Sequence, residues 1–388
     1  MKTITSLLLF SATSLAKTLY VSHYDGHVYT LTYNTTDPNP ETSLTLASTL
    51  TACGSMPSWL ELDADAYLLY CIDETGTSQT SGNGSLTSFD ISDVSRPAVV
   101  SETGTLAGGV ASVIYEAGEE GEKFIAIAHY EGSSVSTFPL PLTNDTTALQ
   151  TFLFTLTGPV TVPDRQDAPH PHSVFLDPTA SYILSPDLGA DLIRIFAIND
   201  SDGTLTECEA HKTVPGDGPR HGVFNQEGNR LYITNELADT VSTYSVSYKD
   251  DCTCGLSLKL RNEIVPSPTG KLPTSYVAEI RIPNNSTNVY VTVRGDQSFA
   301  PDDSIAFLDP SPNPTGLVAK NLTSSFGSYP RTLVISEDGS LVAVGNQKSS
   351  SVAIVQRDVE TGELGELVGN LQVGDVEAGL SSVIWGSD

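Results

Sequence analysis

The side chains best suited to chemistry near neutral pH are few here, and they keep company. Ten Arg, nine Lys and seven His stand against 47 acidic residues in a chain of 388. Several head short apolar runs: His170-Pro171-His172 before Ser-Val-Phe-Leu, Arg220-His221 before Gly-Val-Phe, and Pro330-Arg331 before Thr-Leu-Val-Ile. Others close such runs: His23, His129, Asp187, Asn235-Glu236, Arg294 and Asn346-Gln347. Imidazole and carboxylate groups exchange protons, and a guanidinium offers a rigid fork of donors to a carboxylate or an oxyanion. That combination suits attack of water on a carbonyl, or closure of a carboxylate onto a double bond.

These residues work together only if the fold gathers them. The stretch GDGPRHGVFNQEGNRLYITNEL, residues 216–237, predicts how. Val223 and Phe224 lead into the polar turn Asn225–Asn229, and Leu231, Tyr232 and Ile233 follow, β-branched and aromatic as strands prefer. The pattern predicts a β-hairpin, in which the start of the first strand lies beside the end of the second. Arg220-His221 and Asn235-Glu236 are therefore expected at one end of one unit.

The unit recurs. Residues 169–198, 218–246 and 329–357 resemble one another, and weaker copies begin near Met56, Gly109 and Val277. Anchored on Ser58, Ser112, Ser173, Gly222, Glu279 and Thr332, the repeats are spaced by 49 to 61 residues. This spacing suits a four-stranded propeller blade with generous loops. The chain opens with strands resembling the second and third of a repeat (19–33) and closes with one resembling a first strand (379–388). Six whole repeats and one split between the termini predict an all-β, seven-bladed propeller closed by pairing the last strand with the first ones, in a single domain over residues 17–388. Blade-equivalent residues then converge on one central funnel. Taken singly, each has a plainer role: a turn for His170–His172 and Asp187, an ion pair between Arg220 and Glu236, another between Arg294 and Asp296. Their shared phase in the repeat is what argues for a site.

Composition narrows the function. A formal charge of −28 disfavours nucleic acid and anionic membranes as partners. Residues 1–16, with Lys2, the apolar centre Leu7–Phe10 and the small-residue end Ser14-Leu15-Ala16, have the pattern of a secretory signal. No other stretch has the length of about 20 apolar residues needed to span a bilayer. Sequons at Asn34, Asn83, Asn144, Asn199, Asn284, Asn285 and Asn321 agree with a secreted, glycosylated, extracellular chain. Five Cys in such a compartment predict two disulfides and one thiol. Cys53 and Cys71 are placed to meet, and Cys208 has two candidate partners, Cys252 and Cys254. The C-x-C spacing lacks the second pair of ligands that a zinc site needs. No G-x-S-x-G elbow suggests a serine hydrolase, and no G-x-G-x-x-G turn suggests a dinucleotide site.

On the motifs HPHSVFLDP, PDLGADLIRIF, GPRHGVF, LYITNEL and GNQKSSSV, and on the closing strand, the chain resembles the seven-bladed propeller lactonase family over essentially all of residues 17–388. That family has a 6-phosphogluconolactonase branch and a 3-carboxy-cis,cis-muconate cyclase branch. The resemblance implies lactone hydrolysis or lactonization of a carboxylic acid, with no cofactor and no metal. It carries a catalytic set onto His172, Arg220, Glu236 and Arg294, and the repeat phase adds His221, Arg331, Gln347 and His129 as positioning candidates. Arg220 and Arg294 would bind a carboxylate or the developing oxyanion, while His172 and Glu236 share acid and base duty. In acidic medium His172 is expected protonated and Glu236 the base, with the order reversed near neutrality. The partner is a small-molecule lactone or carboxylic acid, and the closed ring predicts a monomer. The alternative from a different class is a silent pocket on a secreted platform that binds carbohydrate or protein.

Overall fold

The computed structural model describes residues 16–77, 84–249, 253–267, 270–284, 286–310 and 316–387. Residues 1–15 of the expected 1–16 signal, the sequons at Asn83 and Asn285, and Cys252 lie outside the described residues. Seven antiparallel sheets follow one another along the chain, each four strands deep from the axis outward, with one short extra strand, His211–Lys212, in the fourth. In blade order the innermost strands are Leu380–Trp385, Pro57–Asp63, Gly109–Ala117, Phe175–Leu176, Pro219–Phe224, Tyr276–Arg281 and Pro330–Ile335. Each packs on the inner strand of the next blade, except that in the fourth the second strand, Tyr182–Asp187, meets Pro219–Phe224, and the series returns to its start.

Burial explains the strand sequences. Second strands are sealed on both faces: Val289–Arg294 and Leu341–Asn346 are buried at every residue and read as nearly continuous apolar runs. Outer strands face water on one side, so Leu44–Leu50 mixes polar with apolar residues, Ser257–Ile264 is mostly polar, and both are largely exposed. Apolar clusters fill the contacts between adjacent blades. Leu19, Val21, Val352, Ile354 and Val383 seal the seventh against the first. The first blade is the one shared by the two ends of the chain. Tyr20 pairs with Ile384, Val21 with Val383 and Ser22 with Ser382, closing the ring and removing two free sheet edges.

One irregularity repeats around the axis. The end of each second strand pairs with a residue at the start of the inner strand: Leu380, Pro57, Gly109, Pro171, Pro219, Tyr276 and Pro330. In five blades the next residue is an insertion with no partner of its own, namely Ser381, Ser58, Val110, Arg220 and Arg331, and in the fourth His172, Ser173 and Val174 stand against Pro186 and Ser185, with the His172 NH donating to the Pro186 carbonyl. A bulge of this kind turns its side chain away from the alternation of the strand. The sixth blade places its extra residue deeper, so that Ala278 and Glu279 face Thr292. The anchors chosen from sequence drift for this reason: Ser58 follows its paired residue by one position and Gly222 by three.

Two disulfides form. Cys53 bonds Cys71, and Cys208 bonds Cys254 rather than Cys252. Among the described residues no helix is long and apolar enough to cross a membrane.

Leu380 is fully buried in the clasp strand. Leu380→Ala is expected to lower unfolding stability by about 2–5 kcal/mol through lost transfer energy and a residual cavity, read from the urea midpoint. An unchanged midpoint would show that the clasp does not take part in global unfolding.

Candidate active site

The turn after each second strand sorts side chains into two roles. The last strand residue is structural. His23 Nε2 lies 2.6 Å from Ser350 Oγ, His129 Nε2 lies 2.7 Å from Ser136 Oγ, and Asn235 Nδ2 donates to Ser242 Oγ at 2.8 Å. Asn346 Nδ2 donates to the Ser325 carbonyl, while Asp187 accepts from the backbone of His170 and Ala190 and pairs with Arg194. The residue after it turns to the axis, and in five blades it is polar: Tyr24, Glu74, Tyr130, Glu236 and Gln347. Arg294 occupies the structural position of the sixth blade, but its long side chain crosses to the axial set.

Glu236 is the centre of that set. Its Oε1 lies 2.7 Å from Arg165 Nη2. Its Oε2 lies 2.9 Å from Arg220 Nε and 2.7 Å from Arg294 Nη2. Arg220 is 1% exposed and Glu236 4%. Arg331 stands 3.9 Å from Glu74 Oε2, to which the Tyr24 hydroxyl donates at 2.5 Å. Arg294 also lies over the ring of Tyr329, 5.0 Å from its centroid.

Burial by itself would raise the Glu236 carboxyl, but Arg294, Arg220 and Arg165 hold it well below the usual carboxylate range. Glu236 is thus an ion-paired carboxylate that fixes three guanidiniums, a poor proton acceptor in this arrangement. Burial, reinforced by the charge of Arg294, brings Arg220 down to about 9. Arg220 Nη1 has no hydrogen-bond partner and is a donor in reserve. Burial also pushes Glu74 up, against the pull of Arg331.

His172 and His221 lie side by side, ring centroids 5.4 Å apart. Burial, then the charges of Arg220, His221 and Arg331, push His172 well below the ordinary imidazole value. It therefore stays neutral in the mildly acidic medium where simple titration predicted a cation. His221 is brought down to about 4 by burial, with Glu279 opposing. Tyr130 places its ring edge toward His172 and stacks face to face on His170, at 4.0 Å. Beyond that stack a cleft of about 500 Å³ opens beside the funnel, lined by Glu131, Ser133, Phe154, Asp167 and His170 among others.

The structure thus gathers Arg220, Glu236 and Arg294 directly, with His172, His221 and Arg331 around them. His129 is fully buried, and its Nε2 is hydrogen-bonded to Ser136 Oγ of its own blade. Gln347 is half-buried at the blade position equivalent to Glu236, and its backbone NH donates to the Tyr329 carbonyl. Arg165 was missed because it comes from the irregular segment before the fourth blade, which has no repeat phase. Glu74, Tyr24 and Tyr130 were legible: each follows the strand-end residue as Glu236 follows Asn235. Among the described residues no group of three or more His, Cys, Asp or Glu is arranged to hold a metal ion.

Known proteins extend this picture. Residues 18–378 match the family described as Lactonase, 7-bladed beta-propeller. A protein of Formosa agariphila named 6-phosphogluconolactonase is 31% identical over 327 residues, covering 81% of this chain and 85% of its own. One of Arthroderma benhamiae, named probable 6-phosphogluconolactonase, is 30% identical over 80% of this chain and 76% of its own. The solved structure of the Pseudomonas aeruginosa periplasmic gluconolactonase PpgL superposes with a TM-score of 0.77 at 23% identity, over 96% of this chain and 99% of that one, and so shares the fold.

Residue-resolved NMR titration is expected to place His129 and His221 near pH 4. Unfolded imidazoles titrate near about 6.5. Their contribution to stability is then complete above that pH and is lost as the pH falls toward 4, because the unfolded chain binds the protons first. Glu61 and Asp217, both raised to about 7 chiefly by burial, contribute with the opposite sign. The individual resonances therefore provide the check, and values near 6.5 for either ring would contradict the site's burial.

Proposed function

The chain belongs to the seven-bladed β-propeller lactonase family, and from that premise we propose that it hydrolyses a sugar-type lactone bearing an anionic group at the Arg-lined funnel. One observation carries this reading. Four guanidiniums, of Arg165, Arg220, Arg294 and Arg331, meet only two carboxylates, Glu236 and Glu74, in a protein whose formal charge is −28. A surplus of positive charge, buried except at the half-exposed Arg165, is in so acidic a chain suited to a phosphate or carboxylate on the substrate. The names of the Formosa and Arthroderma relatives agree with a phosphorylated sugar lactone.

In the proposed reaction His172, Arg220, Glu236 and Arg294 form the working set. The substrate anion lies against the outer guanidiniums, with Arg331 assisting. Arg220, with Nη1 unpartnered, stabilises the negative charge that develops on the carbonyl oxygen. The neutral imidazole pair His172 and His221 contains the base for water. Glu236 fixes the guanidiniums, so little reorganisation is needed when charge develops.

We further propose that the protein acts outside the cell. The leader pattern, two disulfides and exposed sequons at Asn34, Asn144, Asn199 and Asn284 support this.

On a panel of plain and phosphorylated sugar lactones, with a muconate-type acid included, the wild type is expected to open at least one lactone. Arg220→Ala and Glu236→Ala are each expected to lose at least about tenfold in rate, or 1.4 kcal/mol. Wild-type rates in both variants, with circular dichroism unchanged, would remove the site.

A further inference from the structure

Below the arginine cluster lies a second set of charged groups that the lactonase reading leaves unused. Glu279 is fully buried. It reaches the axis because the extra residue of the sixth blade sits deeper than in the other blades, with Ala278 and Glu279 sharing the partner Thr292. Its Oε1 lies 3.1 Å from His221 Nδ1 and 3.4 Å from Arg281 Nη1, and accepts from the Ile280 backbone NH at 3.0 Å. Its Oε2 has no partner. The backbone of His221 is fixed as well, its NH donating to Thr234 Oγ1 at 3.1 Å.

We propose that Glu279 is a positioning residue that fixes the tautomer and orientation of His221, and that His221 rather than His172 accepts the proton of the attacking water. This rests on the lactone-hydrolase reading and assigns the proton within it. The chemistry follows from the donor set. An ionised carboxylate only accepts hydrogen bonds, so at 3.1 Å the proton between the two groups is on His221 Nδ1. Nε2 then carries the free lone pair. When it takes a proton, the imidazolium is stabilised from behind by Glu279, the arrangement by which a buried carboxylate supports a catalytic histidine.

His172 lacks this support. Its Nδ1 has no partner, and Arg220 and Arg331 both oppose a positive charge on its ring. The groups facing His221 are, from its own blade, Arg220; from the sixth blade, Glu279 and Arg281; from the fourth, His172; and from the second, Trp59, at 5.7 Å between ring centroids. Glu61 lies beside Trp59 and faces Arg281. Glu279 is the anion among them in direct contact with the imidazole, and burial, which would raise it, is overcome by Arg281 and His221 so that it lies at about 2.

The step balances. The water oxygen bonds to the carbonyl carbon, a water proton passes to His221 Nε2, and the C=O electron pair moves to the oxygen beside Arg220. Collapse breaks the acyl–oxygen ring bond, and the proton on His221 passes to the departing alkoxide. One water is consumed, and the resulting acid ionises to solvent.

Glu279→Gln keeps the side-chain shape and removes the charge. Relative to wild type, kcat on the best lactone is expected to fall at least about tenfold, with KM within about twofold. Loss of the negative charge lowers the imidazole's affinity for protons, so the acidic limb of kcat/KM should move to lower pH. His221→Gln should abolish that limb and His172→Gln should leave its position unchanged. Nitrogen-15 spectra should show the Nδ1–H tautomer of His221 in wild type, and a loss of its dominance in Glu279→Gln. The inference is overturned if Glu279→Gln keeps the wild-type kcat and limb, if the limb is lost in His172→Gln but kept in His221→Gln, or if wild type shows the Nε2–H tautomer. The tautomer needs no turnover to be read, which separates failure of this inference from failure of the lactonase reading.

Discussion

The axis of this molecule exists because the ring closes. The strand Leu380–Trp385 completes a blade begun by Ala16–His23, and that pairing converts a row of sheets into a cycle of inner strands. The groups that depend on it lie on both sides of the seam. Tyr24 comes from the first blade, Glu74 from the second and Arg331 from the seventh, yet they form one contact set. An open row of blades would leave their strands exposed and these side chains in water, where such pairs contribute little.

Closure alone would deliver an axis lined by ordinary alternating strand residues. The repeated insertion at the start of the inner strand changes what points inward: the inserted residues include Arg220 and Arg331, and His172 lies in the equivalent irregular stretch of the fourth blade. Because the insertion recurs at one height, side chains from the fourth, fifth and seventh blades arrive in the same layer. The sixth blade places its insertion lower and delivers Glu279 beneath that layer. The site is thereby stratified, with cations and Glu236 above and an imidazole backed by a carboxylate below. Charge interactions in such a dry, low-dielectric setting are stronger than at the surface. They are also held by the sheet, so the donors are aimed before a substrate arrives.

The two imidazoles show how neighbours divide similar groups between roles. Both are buried and both are pushed toward the neutral form, mainly by loss of solvent. What differs is charge: His172 faces Arg220 and Arg331, whereas His221 has Glu279 against it. Tyr130 joins the upper layer to the cleft beside it through its stack on His170.

Much of this was legible before any coordinates. The spacing of the repeats, the split strands at the two termini and the common phase of Arg220, Glu236 and His172 depend on local patterns that a linear reading can detect, so they determined the blade count, the closure and most of the funnel's residues. Other features depend on contacts across the ring. His129 and Glu236 stand one position apart in the repeat, yet one is tied to its own sheet and the other faces the axis, because the strand ends between them. Arg165 has no repeat phase, and Glu279 owes its position to an insertion offset by a few residues. The protonation of His172 could not be judged from its residue type, since burial and the neighbouring guanidiniums, not the imidazole itself, set its affinity for a proton. The sequence by itself determined the blade count, the closure and the convergence of Arg220, Glu236 and His172 on a common axis. Only the tertiary structure decided which of them carry charge there, because solvent exclusion and through-space electrostatics depend on distances between blades that no single segment encodes.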